Sequence, residues 1–233
     1  MKKLAILFAT LLQLTTLQLA NAAILTEWTF DTSQPGGFRS AGTWFTNIAA
    51  EVGSGTASAW HIGAANYSPF PGNGSYCSFG LTNGWAVGDF FQFSICSAGY
   101  QNIAISYDQA GSLSGPSTFF LEYSTNGSTF TKFGSDYKVS VGHWTSSSAR
   151  TTNSFSFDLS SVAAINDKST VYFRIVDDST VAIGGGTVTG YEDDRIDNFL
   201  VSAQLVPEPS MMALAVLGSA FCAYVLKRKS LKS

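Results

Sequence analysis

Charge, histidine and cysteine are all scarce in these 233 residues: charged side chains make up 12% of the chain, and there are 2 His and 3 Cys. Each scarcity excludes something. His61 and His143 are the only imidazole bases, and no G-x-S-x-G elbow accompanies them, so the chain carries no signature of a Ser-His-Asp hydrolase. No His or Cys spacing suits zinc, and no glycine fingerprint for a phosphate is present. The middle of the chain has no long amphipathic helix and no repeat of about 20 to 50 residues, which removes helical bundles and solenoids.

The few charges are unevenly placed. Of the 13 Lys and Arg, two lie within residues 1–22 and four within residues 227–233; of the 16 Asp and Glu, only Glu208 lies outside residues 23–206. The central stretch thus sets seven positive charges against fifteen negative ones, a formal net of −8. Such a surface repels nucleic acid phosphates, and no nucleic acid partner is expected.

What is present begins at the ends. Met1, Lys2 and Lys3 precede an uncharged run from Leu4 to Ala20, and Ala20-Asn21-Ala22 follows. A positive start, a short apolar middle and an A-x-A exit predict a helical secretory signal over residues 1–22, passed through the Sec translocon and cut after Ala22. At the other end Pro207-Glu208-Pro209 precedes an uncharged segment, Ser210 to Leu226, and then Lys227, Arg228, Lys229 and Lys232. As a helix that segment would span roughly 25 Å, barely a bilayer core. The basic cluster stays cytoplasmic by the positive-inside rule, which puts the central stretch across the membrane. The two prolines hold an extended strip beside it.

This three-part tail, residues 207–233 with the transmembrane helix at 210–226 and the basic end at 227–233, resembles the PEP-CTERM sorting signal. The resemblance implies processing near Pro207, Glu208 and Pro209 by a membrane-embedded exosortase. It also implies delivery to the cell surface or extracellular matrix of a Gram-negative bacterium. The same tail sometimes carries the label of an ice-binding protein C-terminal domain, which describes the tail alone.

Residues 23–206 suffice for one domain with a real core. Short alternating runs between turn residues predict an all-β, antiparallel sandwich. Expected strands are Ile24 to Phe30, a weaker Thr56 to Ile62, Asp89 to Cys96, Gln101 to Asp108, Ser117 to Ser124, Thr129 to Phe133, Ser154 to Leu159, Thr170 to Val176 and Arg195 to Ala203. Phe91, Phe93 and Ile95 share one face, as do Ile103, Ile105 and Tyr107, and Phe119, Leu121 and Tyr123. Asn126-Gly127 predicts a hairpin turn. Ser160 to Asn166 reads as one helical turn capped by Ser160, and Pro69 to Gly74 reads as loop.

The order Asp89-Phe90-Phe91-Gln92-Phe93-Ser94, Ala98-Gly99-Tyr100, Ser114-Gly115-Pro116-Ser117, Tyr123-Ser124-Thr125-Asn126-Gly127 and Arg195-Ile196-Asp197-Asn198-Phe199 resembles the jelly-roll, lectin-like sandwiches common among PEP-CTERM proteins. That resemblance covers residues 85 to 203 and implies a fold that often sits on or binds carbohydrate, without naming a ligand.

Candidate chemistry is sparse. Glycoside hydrolysis needs two carboxylates across a sugar, and Glu122 is the best single candidate; the alternative is a solvated strand residue. Glu192-Asp193-Asp194 and Asp197-Asn198 form an acidic cluster. If the first and last strands pair, Glu27 or Asp31 would approach Asp197, and Glu27, Asp197 and nearby carbonyls would make a structural calcium site. The alternative is an acidic loop whose side chains fix a turn. Cys77 and Cys96 are a candidate disulfide in an oxidising compartment, or two small buried thiols. Trp28, Trp44, Trp60, Trp85 and Trp144 are available for stacking on sugars, or for the core. Thr129-Phe130-Thr131 and Thr187-Val188-Thr189 are isolated T-x-T triplets, no basis for an ice-binding face. The expectation is a non-catalytic surface or matrix protein contacting exopolysaccharide or envelope glycans. The alternatives are a secreted glycan-active hydrolase and a structural adhesion protein.

Overall fold

The computed structural model describes residues 22–32, 36–142, 144–190, 193–207 and 218. Residues 24–203 form one compact unit. Apart from Ala22 and Gly218, the expected signal and transmembrane helices lie outside the described residues. Among the described residues no helix is long and apolar enough to cross a membrane.

Fourteen strands are described: β1 (Ala23–Trp28), β2 (Gly37–Arg39), β3 (Trp44–Ala49), β4 (Val52–Gly53), β5 (Gly55–Trp60), β6 (Ala65–Phe70), β7 (Ser78–Thr82), β8 (Phe90–Ile95), β9 (Tyr100–Gly111), β10 (Thr118–Ser124), β11 (Thr131–Lys138), β12 (Ser154–Asp158), β13 (Val171–Asp177) and β14 (Asp193–Leu205). They form two sheets. An eight-stranded sheet runs β12-β9-β14-β7-β6-β2, with β1 on β14 and β4 on β1; a six-stranded sheet runs β11-β10-β13-β8-β5-β3. Every ladder with a defined register is antiparallel. Much of the chain alternates between the sheets, a jelly-roll-like connectivity, and the first and last strands pair.

Period-two alternation builds the core, because successive side chains of a strand point to opposite faces. Phe91, Phe93 and Ile95 of β8, Phe119 and Leu121 of β10, and Phe173 and Ile175 of β13 are buried from one sheet. Ile103, Ile105 and Tyr107 of β9 and Phe199 and Val201 of β14 meet them from the other. Burial of each such side chain stabilises the fold by roughly 1.5–3 kcal/mol. Phe93 and Phe199 stack across the gap with centroids 3.5 Å apart, and Trp28 sets its edge to both, at 5.2 and 5.8 Å.

A polar chain bridges the sheets at one side. Tyr107 donates to the Tyr137 hydroxyl (2.7 Å), Tyr137 to Gln109 Oε1 (2.6 Å), and Gln109 Nε2 to Asp194 Oδ1 (2.9 Å). Burial, against the bond from Gln109, raises the Asp194 carboxyl well above the usual carboxylate range.

The Asn126-Gly127 turn forms as expected. Asn126 Oδ1 accepts the backbone N–H groups of Ser128 and Thr129, and Ser124 Oγ accepts that of Gly127. Gly127 sits at φ +70°, and an added Cβ would meet the Tyr172 ring at 3.2 Å. Gly127→Ala is therefore expected to lower stability by about 1–2 kcal/mol, read as a fall in the urea midpoint at unchanged slope.

Three expectations need correction. Cys77 and Cys96 are both free. Cys77 enters β7 of one sheet and Cys96 leaves β8 of the other, where its thiol points to the Lys168 carbonyl at 3.7 Å. The turn after β12 is a 3-10 helix, Ala163–Ile165, with no side-chain cap; the Ser160 N–H is instead bound by Asp158 Oδ1 at 2.9 Å. The segment read as loop from Pro69 begins inside β6, where Pro69 pairs with Phe79.

Candidate functional site

The outward side chains of the six-stranded sheet fall into three rows that cross the strands. The register opposes Trp44 to Trp60, Trp60 to Phe90, Phe90 to Val176 and Val176 to Phe120. Two residues along, it opposes Ser58 to Gln92, Gln92 to Arg174, Arg174 to Glu122 and Glu122 to Lys132. Two further, it opposes Thr56 to Ser94 and Tyr172 to both Ser94 and Ser124. An apolar, largely aromatic row, an ionic and amide row, and a hydroxyl row therefore lie side by side. Cross-strand neighbours are about 4.8 Å apart, so the aromatic row extends roughly 19 Å.

The aromatic row is ordered from below. Phe90 is buried beneath the two indoles, edge-on to Trp44 at 5.3 Å and stacked with Trp60 at 5.9 Å. Trp44 is 40% exposed and Trp60 half-buried, so both present ring surface to solvent. Arg174 anchors the middle row. Its guanidinium lies over Phe90 at 3.9 Å and Phe130 at 3.6 Å, its Nε donates to Gln92 Oε1 at 2.8 Å, and Nη1 is 3.6 Å from Glu122 Oε1. Phe130 arrives on the loop that the Asn126-Gly127 turn shapes, so a local turn signal positions a residue of the face.

At the hydroxyl row, Thr56 Oγ1 and Ser94 Oγ are hydrogen-bonded at 2.7 Å. An open depression of about 220 Å³ adjoins them, lined also by Ser54, Cys96, Ser169 and Thr170.

Glu122 points outward, as its alternation with Leu121 and Tyr123 predicts. Burial raises its carboxyl above the ordinary value while Arg174 pulls it down. Its charged partner is thus a cation, where paired acid catalysis needs a second carboxylate.

Among the described residues no three His, Cys, Asp or Glu side chains gather as a metal site. The alternation of β14 shifts at Asn198, whose φ is +50°, so that Ile196 and Phe199 both reach the core while Asp197 faces out beneath the loop before β7. Asp197 Oδ2 accepts from the Asn73 N–H (2.7 Å) and Ser75 Oγ (2.6 Å), and Oδ1 accepts from the Asn198 N–H (2.8 Å). Asp31 Oδ1 accepts the Cys77 N–H of the same loop at 2.8 Å. First and last strands do converge here, and the loop before β7 donates to both carboxylates.

Burial pushes the Asp197 carboxyl up to about 7, against the pull of those donors. In the unfolded chain an aspartate titrates near ~3.9. The folded state therefore holds this proton more tightly, and its stabilising effect is whole below about pH 4 and lost as pH rises through 7. Melting temperature is expected to fall between about pH 4 and 7, and Asp197→Asn to flatten that fall; an unchanged slope in the variant would refute the assignment.

The remaining tryptophans are internal. Trp28 donates to the Ile48 carbonyl at 3.1 Å, Trp85 to that of Leu81 at 3.4 Å, and Trp144 to Asn153 Oδ1 at 3.3 Å, all three buried. His61 is buried edge-on against Trp85 at 4.5 Å, and burial lowers its pKa to about 3. The imidazole is enclosed in the core, with Nδ1 3.4 Å from the buried Asp89 Oδ2. His143 lies outside the described residues.

No family model and no curated protein matches the chain. Solved structures resemble it distantly. The CBM22-1 xylan-binding domain from Paenibacillus barcinonensis Xyn10C is 10% identical, with TM-score 0.44 over 80% of this chain and 97% of that one. A family 29 carbohydrate-binding module is 11% identical, with TM-score 0.35 over 72% and 97%. An arabinose-bound GH51 α-L-arabinofuranosidase is 11% identical, with TM-score 0.38 over 77% of this chain but 27% of that one. Likeness this distant carries no argument about function; the two-sheet architecture stands on the strand pairing.

Proposed function

We propose that the chain is an exported surface or extracellular-matrix protein of a Gram-negative bacterium, and that its sandwich contacts exopolysaccharide or envelope glycans without catalysing a reaction. Export rests on the signal-like first 22 residues. Sorting rests on the PEP-CTERM-like tail at 207–233, with the Sec translocon and an exosortase as its partners in transit.

Glycan contact rests on one observation, the solvent-facing indoles of Trp44 and Trp60 set beside rows of hydrogen-bonding side chains. Apolar ring faces of sugars stack on such surfaces while their hydroxyls meet neighbouring polar groups. An exposed aromatic patch on an otherwise acidic surface marks an interaction site.

Retention of the purified full-length protein on polysaccharide from its native matrix tests the reading, and passage through every matrix fraction without delay would overturn it. Intact-mass analysis of protein recovered from the cell surface tests the export half. Cuts after Ala22 and near Pro207 are expected, and a chain complete from Met1 to Ser233 would contradict them.

A further inference from the structure

We infer that this face takes an uncharged glycan chain, laid across the strands along the aromatic row, and rejects polyuronates and other polyanions. The inference rests on the glycan-contact reading above and adds the class of polymer.

Its basis is where the charges of the face are engaged. The central cation, Arg174, has aromatic rings over its guanidinium and hydrogen-bonding partners at its edge: Phe90, Phe130, Gln92 and Glu122. A carboxylate ligand would have to displace Glu122, an anion already held by the protein. Lys132, next in the same row, is paired with Asp136, lies 3.9 Å from Asp178 and caps the Phe120 ring at 4.3 Å. Lys138 faces Thr118, one position past the aromatic row. Three cations therefore stand against Glu122, Asp136 and Asp178, and the face balances to zero. The surrounding body carries a net −8 and repels a polyanion at longer range.

What remains to read a ligand is neutral: two indole surfaces, the Gln92 amide, and the hydroxyls of Thr56, Ser94 and Tyr172. The direction follows from register. The rows run perpendicular to the strands, so a chain keeping its ring faces on Trp44, Trp60 and the aromatic row keeps one edge toward the amide and hydroxyl rows throughout. A chain running along the strands would cross all three rows over about 14 Å and lose that match.

Affinity electrophoresis of the detergent-solubilised full-length protein tests this. The gels would contain β-glucan, xylan or galactomannan as neutral polymers, and alginate or polygalacturonate as acidic ones. The expected result is retardation by at least one neutral polymer, nearly unchanged between low and high salt because no charge is exchanged. Trp44→Ala should weaken it at least tenfold, and alginate and polygalacturonate should give no retardation. Trp44 is 40% exposed and packs on Phe90 from the solvent side, so its removal should lower melting temperature far less than loss of a core tryptophan; Trp60→Phe, which keeps an aromatic ring, supplies a second reading.

Retardation by an acidic polymer that fades with salt would overturn the polymer class and leave the face intact as the glycan site. Retardation by none of the polymers, or retardation indifferent to Trp44→Ala and Trp60→Phe, would overturn the face itself. Self-association of the protein that Trp44→Ala abolishes would assign the face to a second copy of the chain and overturn both.

Discussion

Trp28→Ala is expected to lower the unfolding free energy by about 3–5 kcal/mol, as large-to-small changes at closely packed aromatic sites do. The indole packs edge-on beside the stacked Phe93–Phe199 pair, and it touches both sheets at once. It also occupies the room left by Gly55, where an added Cβ would lie 2.7 Å from its ring. Removing it opens a cavity that the stacked Phe93–Phe199 pair cannot close without separating. The Ile48 carbonyl loses its donor as well, a further cost of about 1–3 kcal/mol for a buried acceptor left unmatched. A domain of this size loses roughly 2–4 °C of melting temperature per kcal/mol, so thermal unfolding should move down by on the order of 10 °C. Trp28→Phe, which keeps a ring but no donor, should recover part of that loss.

The second large effect is on binding. Trp44→Ala combined with Trp60→Ala is expected to reduce glycan affinity by about 100-fold or more, the scale of two aromatic contacts each worth about 1.4 kcal/mol. The effect should fall on dissociation more than on association, because the change removes contact area and leaves the charge unaltered. The same pair should disturb unfolding far less than Trp28→Ala, since Trp44 is largely outside the core and Trp60 only half inside it. A titration of the double variant beside wild type, with melting curves for both, separates lost contact from lost fold.

Where the sequence was legible, the reason is period. Phe91, Phe93 and Ile95 alternate without interruption, as do Ile103, Ile105 and Tyr107, and each set is buried as the pattern requires. The strands that pattern missed have specific causes. β5 is expected only weakly, because it turns Ala57 and Ala59 inward, residues too small to mark a face, although the strand is interior to its sheet. β7 carries Gly80, which reads as a break; the Phe70 ring lies over it, and a Cβ there would come within 2.1 Å of that ring. β6 contains Pro69, which lacks an N–H for the ladder and resembles loop for that reason.

The site was harder still. Five tryptophans are interchangeable in composition, and nothing local separates Trp28, bonded to a backbone carbonyl in the core, from Trp60, open to solvent. The distinction comes from register between strands remote in sequence, as when Phe90 is brought beside Trp60 and Val176 beside Phe90. The surroundings of Asp197 were illegible for a similar reason: its donors come from Asn73 and Ser75, more than 120 positions away.

The most direct measurement is the set of indole N–H resonances during titration with a soluble neutral oligosaccharide. Each of the 5 tryptophans gives its own signal. The signals of Trp44 and Trp60 should shift together and saturate, while those of Trp28, Trp85 and Trp144 stay in place. If the sugar moved the enclosed indoles, or saturated binding without moving Trp44 and Trp60, the outer face of the six-stranded sheet would not be where glycan is held.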